Sequence, residues 1–298
     1  AMALHFNILV VSVDGNGFNP IRKQSATARP VRNLCANMKR REFLRVSLAA
    51  SAVGGLSCAQ LQAAAASGDA GGQAREYYEL RVYRLKNAAD RALLDAYLSK
   101  ALIPALNRQG CKPVGAFVQQ ERAGKPASTE VNDPLSVVLL IPYPAMHKYP
   151  ATLAAVNADA EYQAAGAEYL QSPKTRPAYD RIDSWLLMAF AGMPKIELPE
   201  YCRERKPRMF ELRTYESHSE VKALKKVEMF NSGEIQLMRD LNMAPIFYGQ
   251  ALIGGNLPHL TYMLSAENPE AHTKHWDAFK MHPTWDKLKN DPQYADTV

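Results

Sequence analysis

"FELRTY", residues 210–215, repeats "YELRVY", residues 78–83, with Glu, Leu, Arg and Tyr in the same places. A strand spelled twice in one chain points to duplication, and the correspondence extends outward from it. Adding 132 carries Tyr78 to Phe210, Glu79 to Glu211, Leu80 to Leu212, Arg81 to Arg213 and Tyr83 to Tyr215, then Ile103 to Ile235 and Pro113 to Pro245. The offset falls to 124 beyond the loop "QERAGKPASTEVNDP", where "SVVLLIPY" answers "LTYMLSAE". One further residue of slip aligns Leu153, Val156 and Tyr162 with Trp276, Phe279 and Trp285. Two copies of one repeat result, spanning 76–191 and 208–298, with the polar, proline-bearing stretch 192–207 as linker.

Each repeat opens on a strand whose alternation puts Tyr78, Leu80 and Val82 on one face and Glu79, Arg81 and Tyr83 on the other. A helix follows over residues 88–108, with Leu94, Tyr97, Ala101 and Ala105 as its apolar stripe and Pro104 as its break. In the second repeat Leu224, Val227, Phe230, Ile235 and Met238 make the stripe and Gly233 the break. Two strands come next, "KPVGAFVQ" and "SVVLLIPY" in the first repeat, "APIFYGQAL" and "HLTYMLS" in the second, the latter pair joined around Gly254-Gly255-Asn256. A second helix and, in the first repeat, a closing strand "IDSWLLMAF" complete the order β-α-β-β-α-β, the ferredoxin-like pattern.

Two helices cover one face of such a sheet, and a second copy of the sheet is the natural cover for the other. The fold expected is therefore α+β: two tandem ferredoxin-like units packed as a pseudo-dimeric α+β barrel. In this reading the apolar residues of the repeated strand turn to the helices. Glu79, Arg81, Tyr83, Glu211, Arg213 and Tyr215 then turn to the opposite sheet and line an inter-sheet space. Charged groups in such a space are either mutual salt bridges that fix the register between sheets, or the lining of a ligand pocket in which an arginine holds an anion and a tyrosine donates a proton. The pattern favours the salt bridges. The text at 291–298 stops where the second repeat's closing strand would begin, so "FELRTY" is expected to show an open edge, coverable by the N-terminal extension or by a second chain.

The net charge of +6 sits at the front. Residues 1–66 hold eight Lys/Arg against two acids, a surplus equal to the whole net charge, so the body is balanced and offers no footprint for nucleic acid. The excess surrounds "MKRREFLRVSLAASAVGGLSCAQLQAAAA", residues 38–66. Its paired Arg40-Arg41, Phe43, Leu44 and Arg45, the short weakly apolar run and the alanine-rich end resemble a twin-arginine export signal. Periplasmic or secreted localisation is the expectation, with no transmembrane span. Lipidation at Cys58 is the lesser variant, since Gly55-Leu56-Ser57 lacks the usual upstream leucine. Residues 1–37 read as a disordered upstream extension.

Among other groups, His272 and His275 share a helix face, but no third ligand accompanies them, and solvated histidines are the simpler reading. Trp276, Phe279 and Trp285 read as helix-to-sheet packing, and "GQALIGG" as a hairpin with no helix start to receive phosphate. No metal or cofactor is assigned.

The second repeat, from "FNSGEI" through "LNMAPIFYGQALIGGNLPHLTYML" to "HWDAFKMHPTW", together with the paired "ELRxY" strands, resembles the NIPSNAP family over about residues 76–298. The resemblance implies the same α+β barrel and brings no catalytic residues with it. The function expected is a non-catalytic binding or assembly module. The alternative is a small-molecule enzyme of the α+β barrel type, a cofactor-independent monooxygenase or isomerase, with a haem or metal version behind it. Partners open to such a fold are a small molecule between the sheets and a second copy of the chain through sheet edges or faces.

Overall fold

A computed structural model describes residues 5–14, 74–119, 136–199 and 209–297. The chain divides into two compact units, residues 1–18 with 73–298 and residues 19–72, and all described residues belong to the first. The signal-like stretch 38–66 and Cys35, Cys58 and Cys202 lie outside the described residues.

The first repeat runs β2 (Tyr77–Arg84), α1 (Ala88–Tyr97), α2 (Ile103–Arg108), β3 (Gly115–Gln119), β4 (Val137–Tyr143), α3 (Lys148–Ala158), α4 (Ala160–Ala165), α5 (Ala167–Leu170) and β5 (Arg181–Ala189). The second runs β6 (Met209–Glu216), α6 (Glu220–Met229), α7 (Ile235–Asp240), β7 (Phe247–Ile253), β8 (His259–Ala266), α8 (Pro269–Met281) and α9 (Pro283–Asn290). Upstream lies one more strand, β1 (His5–Asp14). Asn87 and Ser219 cap the first helix of each repeat, each accepting backbone amides of the opening turn.

Between α1 and α2, and again between α6 and α7, one turn widens to π geometry, at Leu98–Leu102 and Phe230–Glu234. The two turns are 132 residues apart, so the bulge was copied with the repeat. Pro104 has no N–H to offer the Lys100 carbonyl, which suits it to the turn beyond the first bulge. Gln236 stands at the matching place, and there Gly233 leaves helical dihedrals instead.

The strands close into a barrel in the order β1-β3-β4-β2-β5-β7-β8-β6. Within it β5-β2-β4-β3 and β6-β8-β7 are the ferredoxin-like sheets of the two repeats. They join where β5 pairs antiparallel with β7. The place that β5 holds beside β2 is taken beside β6 by β1, which runs parallel to β6 and parallel to β3. The upstream text thus contributes the strand that lies along "FELRTY".

Register corrects one alignment. Arg81 pairs with Leu139 and Arg213 with Tyr262, so β4 and β8 are offset by 123 residues, not 124. The slip therefore precedes β4 entirely, and a single residue matters because it exchanges the faces of a strand.

Every residue of β4 and of β8 is buried, because these central strands are covered on both sides. Inside the barrel, Tyr78, Leu80, Val82, Val138, Leu140 and Leu187 of the first repeat pack with Phe210, Leu212, Phe247 and Met263 of the second. Rings meet across the duplication, Phe117 with Phe210 and Tyr78 with Phe247, at centroid separations of 5.5 and 5.2 Å. A separate core lies under the helices of each repeat. Among the described residues no helix is long and apolar enough to cross a membrane.

Candidate functional site

The faces of the repeated strand are the reverse of the sequence expectation. Tyr78, Leu80 and Val82 fill the barrel, whereas Tyr83 belongs to the core beneath the helices, together with Leu94, Tyr97 and Tyr162. Glu79, Arg81 and Tyr83 share that outer face, and so do Glu211, Arg213 and Tyr215. The physical reason is burial on both sides. An eight-strand barrel has room inside for close-packed apolar side chains, and the layer between sheet and helices holds the ions and phenols, paired with one another. The six residues do gather into two sets, one per repeat, but they line no inter-sheet space.

In the first set Glu79 is 2% exposed and its carboxylate is saturated. Arg81 grips it with two bonds, Nε to Oε1 at 2.7 Å and Nη2 to Oε2 at 3.0 Å. The Tyr143 hydroxyl donates to Oε2 at 3.0 Å and Ser184 Oγ to Oε1 at 2.8 Å. Arg81 Nη1 donates to Tyr83 OH at 3.1 Å. Burial works against the Arg81 charge, but Tyr83 and Glu79 outweigh it and push its pKa up. Nearby, Tyr97 OH meets Tyr162 OH at 2.9 Å, and the Tyr97 ring stacks on Tyr169 at 3.9 Å.

In the second set Glu211, also 2% exposed, is held differently. Arg213 makes one bond, Nη1 to Oε1 at 2.9 Å, and donates Nε to Tyr215 OH at 3.2 Å. Its guanidinium carbon stands 4.4 Å from the centroid of the Trp276 ring. The other carboxylate oxygen is met by His272 Nε2 at 2.9 Å and by Trp276 Nε1, which donates at 2.8 Å. Burial alone would raise the Glu211 pKa, but the His272 bond, the Arg213 charge and the Trp276 bond bring it below the ordinary carboxylate value. His272 is thus a partner of the set and not a solvated residue. Trp276 both packs against the core and bonds the carboxylate.

Beneath Tyr215 lies a pair the sequence reading missed. Lys226 Nζ is 3.4 Å from Glu234 Oε2, with side chains 6% and 3% exposed. The ammonium is ringed by Phe230, Tyr215 and Trp285, at 5.0, 5.5 and 5.6 Å from the ring centroids, and lies 3.6 Å from Met229 Sδ. Burial raises the pKa of Glu234, and Lys226 draws it back only in part. Leu224, expected in the apolar stripe, is 56% exposed instead, because the helix presents Ala223, Lys226 and Met229 inward. The available signal was the offset: Lys226 and Glu234 stand where the first repeat has Leu94 and Leu102.

His275 does not join His272, and its Nδ1 is buried without a partner. Among the described residues no group of three or more His, Cys, Asp and Glu side chains is placed to hold a metal ion. Cys111 is a buried thiol 3.8 Å from Thr152 Oγ1.

Residues 210–298 match the family model of NIPSNAP. Comparison with curated proteins finds no match for the chain. Among solved structures, a candidate monooxygenase from Lactobacillus acidophilus NCFM is similar with a TM-score of 0.45 and 10% identity, over 72% of this chain and 85% of that one. An anthrone oxidase-like protein is similar with a TM-score of 0.39 and 10% identity, over 72% and 83%. A NIPSNAP family protein with unknown function from Agrobacterium tumefaciens str. C58 is similar with a TM-score of 0.28 and 19% identity, over 39% and 89%.

Proposed function

We propose that this chain is an exported NIPSNAP-like protein that works as a non-catalytic binding or assembly module in the periplasm or outside the cell. The observation that carries the reading is that both Glu–Arg sets are satisfied by the protein's own groups while the space between the sheets is filled by apolar side chains. A buried carboxylate that already accepts three or four donors has little capacity left for a substrate, and among the described residues the barrel interior is packed with apolar side chains. The match of residues 210–298 to NIPSNAP agrees with this reading, as does the export-signal pattern at 38–66 for the compartment.

Native mass spectrometry of the protein isolated from an exporting host tests the function. The expected result is protein assemblies carrying no stoichiometric small molecule. A molecule retained at one per chain and chemically converted by the wild type, with conversion lost in Arg81→Met or Arg213→Met, overturns the reading in favour of a small-molecule enzyme. Cell fractionation tests the compartment: wild type is expected outside the cytoplasm, and an Arg40→Lys, Arg41→Lys variant inside it. Equal distribution of the two removes the export assignment.

A further inference from the structure

The two repeats tie their buried carboxylates to different parts of the fold. Every donor to Glu79 comes from the sheet: Arg81 on its own strand, Tyr143 on β4 and Ser184 on β5. Two of the three donors to Glu211 come from helix α8, His272 and Trp276. In the first repeat the place of His272 belongs to Tyr149 on α3, whose ring packs edge-on against Tyr143 at 5.2 Å. Besides these bonds, α8 and α9 rest on the core through the rings of Trp276, Phe279 and Trp285. Phe279 is the fully buried residue of α8, and α9 has none.

From this asymmetry we infer that Glu211 is an acid-releasable latch: its carboxylate holds α8 and the following α9 onto the sheet through His272 and Trp276, a device the first repeat lacks. An ionised carboxylate makes charge-assisted bonds roughly twice as strong as neutral ones, and protonation forfeits that difference for both ties together. The groups facing the latch act in the same direction. Arg213 lies beside Glu211 on β6, with Tyr262 of β8 behind it, and Lys226 and Glu234 lie below Tyr215. Loss of the Glu211 charge then leaves the Arg213 guanidinium without the carboxylate it is paired with, and Glu234, whose pKa burial raises, gives up its charge earlier in the same descent. The buried Arg213 charge left unpaired adds to the lost bonds.

The sign follows from Glu211, whose carboxyl is held below its ordinary value in the folded state. Its stabilisation is present above the unfolded carboxyl pKa and disappears as pH falls through the folded one. Release of α8 therefore belongs below about pH 4.5, and neutral pH keeps it closed.

Hydrogen–deuterium exchange on the full chain between pH 7 and pH 3.5, corrected for intrinsic chemistry, tests the latch by comparing residues 269–290 with residues 148–158. Expected is an acceleration of the 269–290 amides about tenfold greater than that of 148–158, the scale of losing the charge assistance of two hydrogen bonds. In Glu211→Gln the 269–290 amides are expected to exchange fast at every pH, with the pH dependence gone. His272→Gln removes the imidazole and serves if the first variant does not fold. It is expected to exchange faster than wild type at pH 7 with a flatter acid response. Loss of protection by both segments at one pH overturns the inference, as does a wild-type pH profile in either variant.

Discussion

Lys226 and Glu234 form a buried ion pair at the two positions where the first repeat buries Leu94 and Leu102. The same backbone, bulge included, thus accommodates either an ionic or an apolar pair. Desolvation makes the ionic solution the costlier one, since a contact of 3.4 Å leaves the ammonium few good acceptors. Transplanting the first repeat's solution, Lys226→Leu with Glu234→Leu, is expected to stabilise the chain by ~1–4 kcal/mol. Lys226→Leu alone is expected to destabilise it by ~3–5 kcal/mol, by stranding a carboxylate. Guanidinium denaturation of the three proteins checks the sign reversal. A double variant no more stable than wild type would mean that the aromatic ring around Lys226 returns more than desolvation takes.

In the first repeat Tyr143 and Tyr149 lie side by side, but only Tyr143 bonds Glu79. Tyr143→Phe removes a donor from a buried carboxylate and is expected to cost ~1.5–3 kcal/mol. Tyr149→Phe removes a hydroxyl with no such bond and is expected to fall within ~0.5 kcal/mol of wild type. The unfolding midpoints of the two variants, measured at neutral pH, separate a structural carboxylate network from generic loss of a phenol.

The sequence made the duplication legible because Glu, Leu, Arg and Tyr recur at fixed spacing, and element order followed from it. Period-two alternation separates Leu80 and Val82 from Glu79 and Arg81, but it does not say which set faces the helices when both faces are covered. Assigning the ions to the space between sheets assumed that this space was the wetter one. The packing of Tyr78, Phe117, Phe210 and Phe247 makes it the drier one. Lys226 escaped notice for a related reason. A lysine between Lys225 and Val227 reads as a solvated face, and only comparison with Leu94 shows that its position points inward. His272 was likewise unreadable, since its partner Glu211 is 61 residues away.

The β7–β8 hairpin rests on Trp185 of β5, whose Nε1 donates to the Gly255 carbonyl at 3.2 Å. Gly254 has φ of +142°, and a Cβ there would overlap the Trp185 indole. Gly255, its neighbour, has open space. Gly254→Ala is expected to cost ~1–3 kcal/mol through backbone strain and overlap, and Gly255→Ala less than ~0.5 kcal/mol. Thermal unfolding distinguishes them, and a shift in Trp185 fluorescence is expected in the first variant alone.

Closure of the barrel makes the strongest demand, because it requires the two repeats to share one interior. Phe117 on β3 and Phe210 on β6 belong to different repeats, yet their rings meet edge to face. Each is expected to cost ~3–5 kcal/mol when cut to alanine, the price of a large cavity in a close-packed core. Because the rings touch, the double variant is expected to be less damaging than the sum of the singles by ~0.5–1.5 kcal/mol. A double-mutant cycle on urea unfolding measures that coupling. A value of zero would separate the interiors of the two repeats and leave the repeated strand without the shared core that buries Leu80 and Leu212.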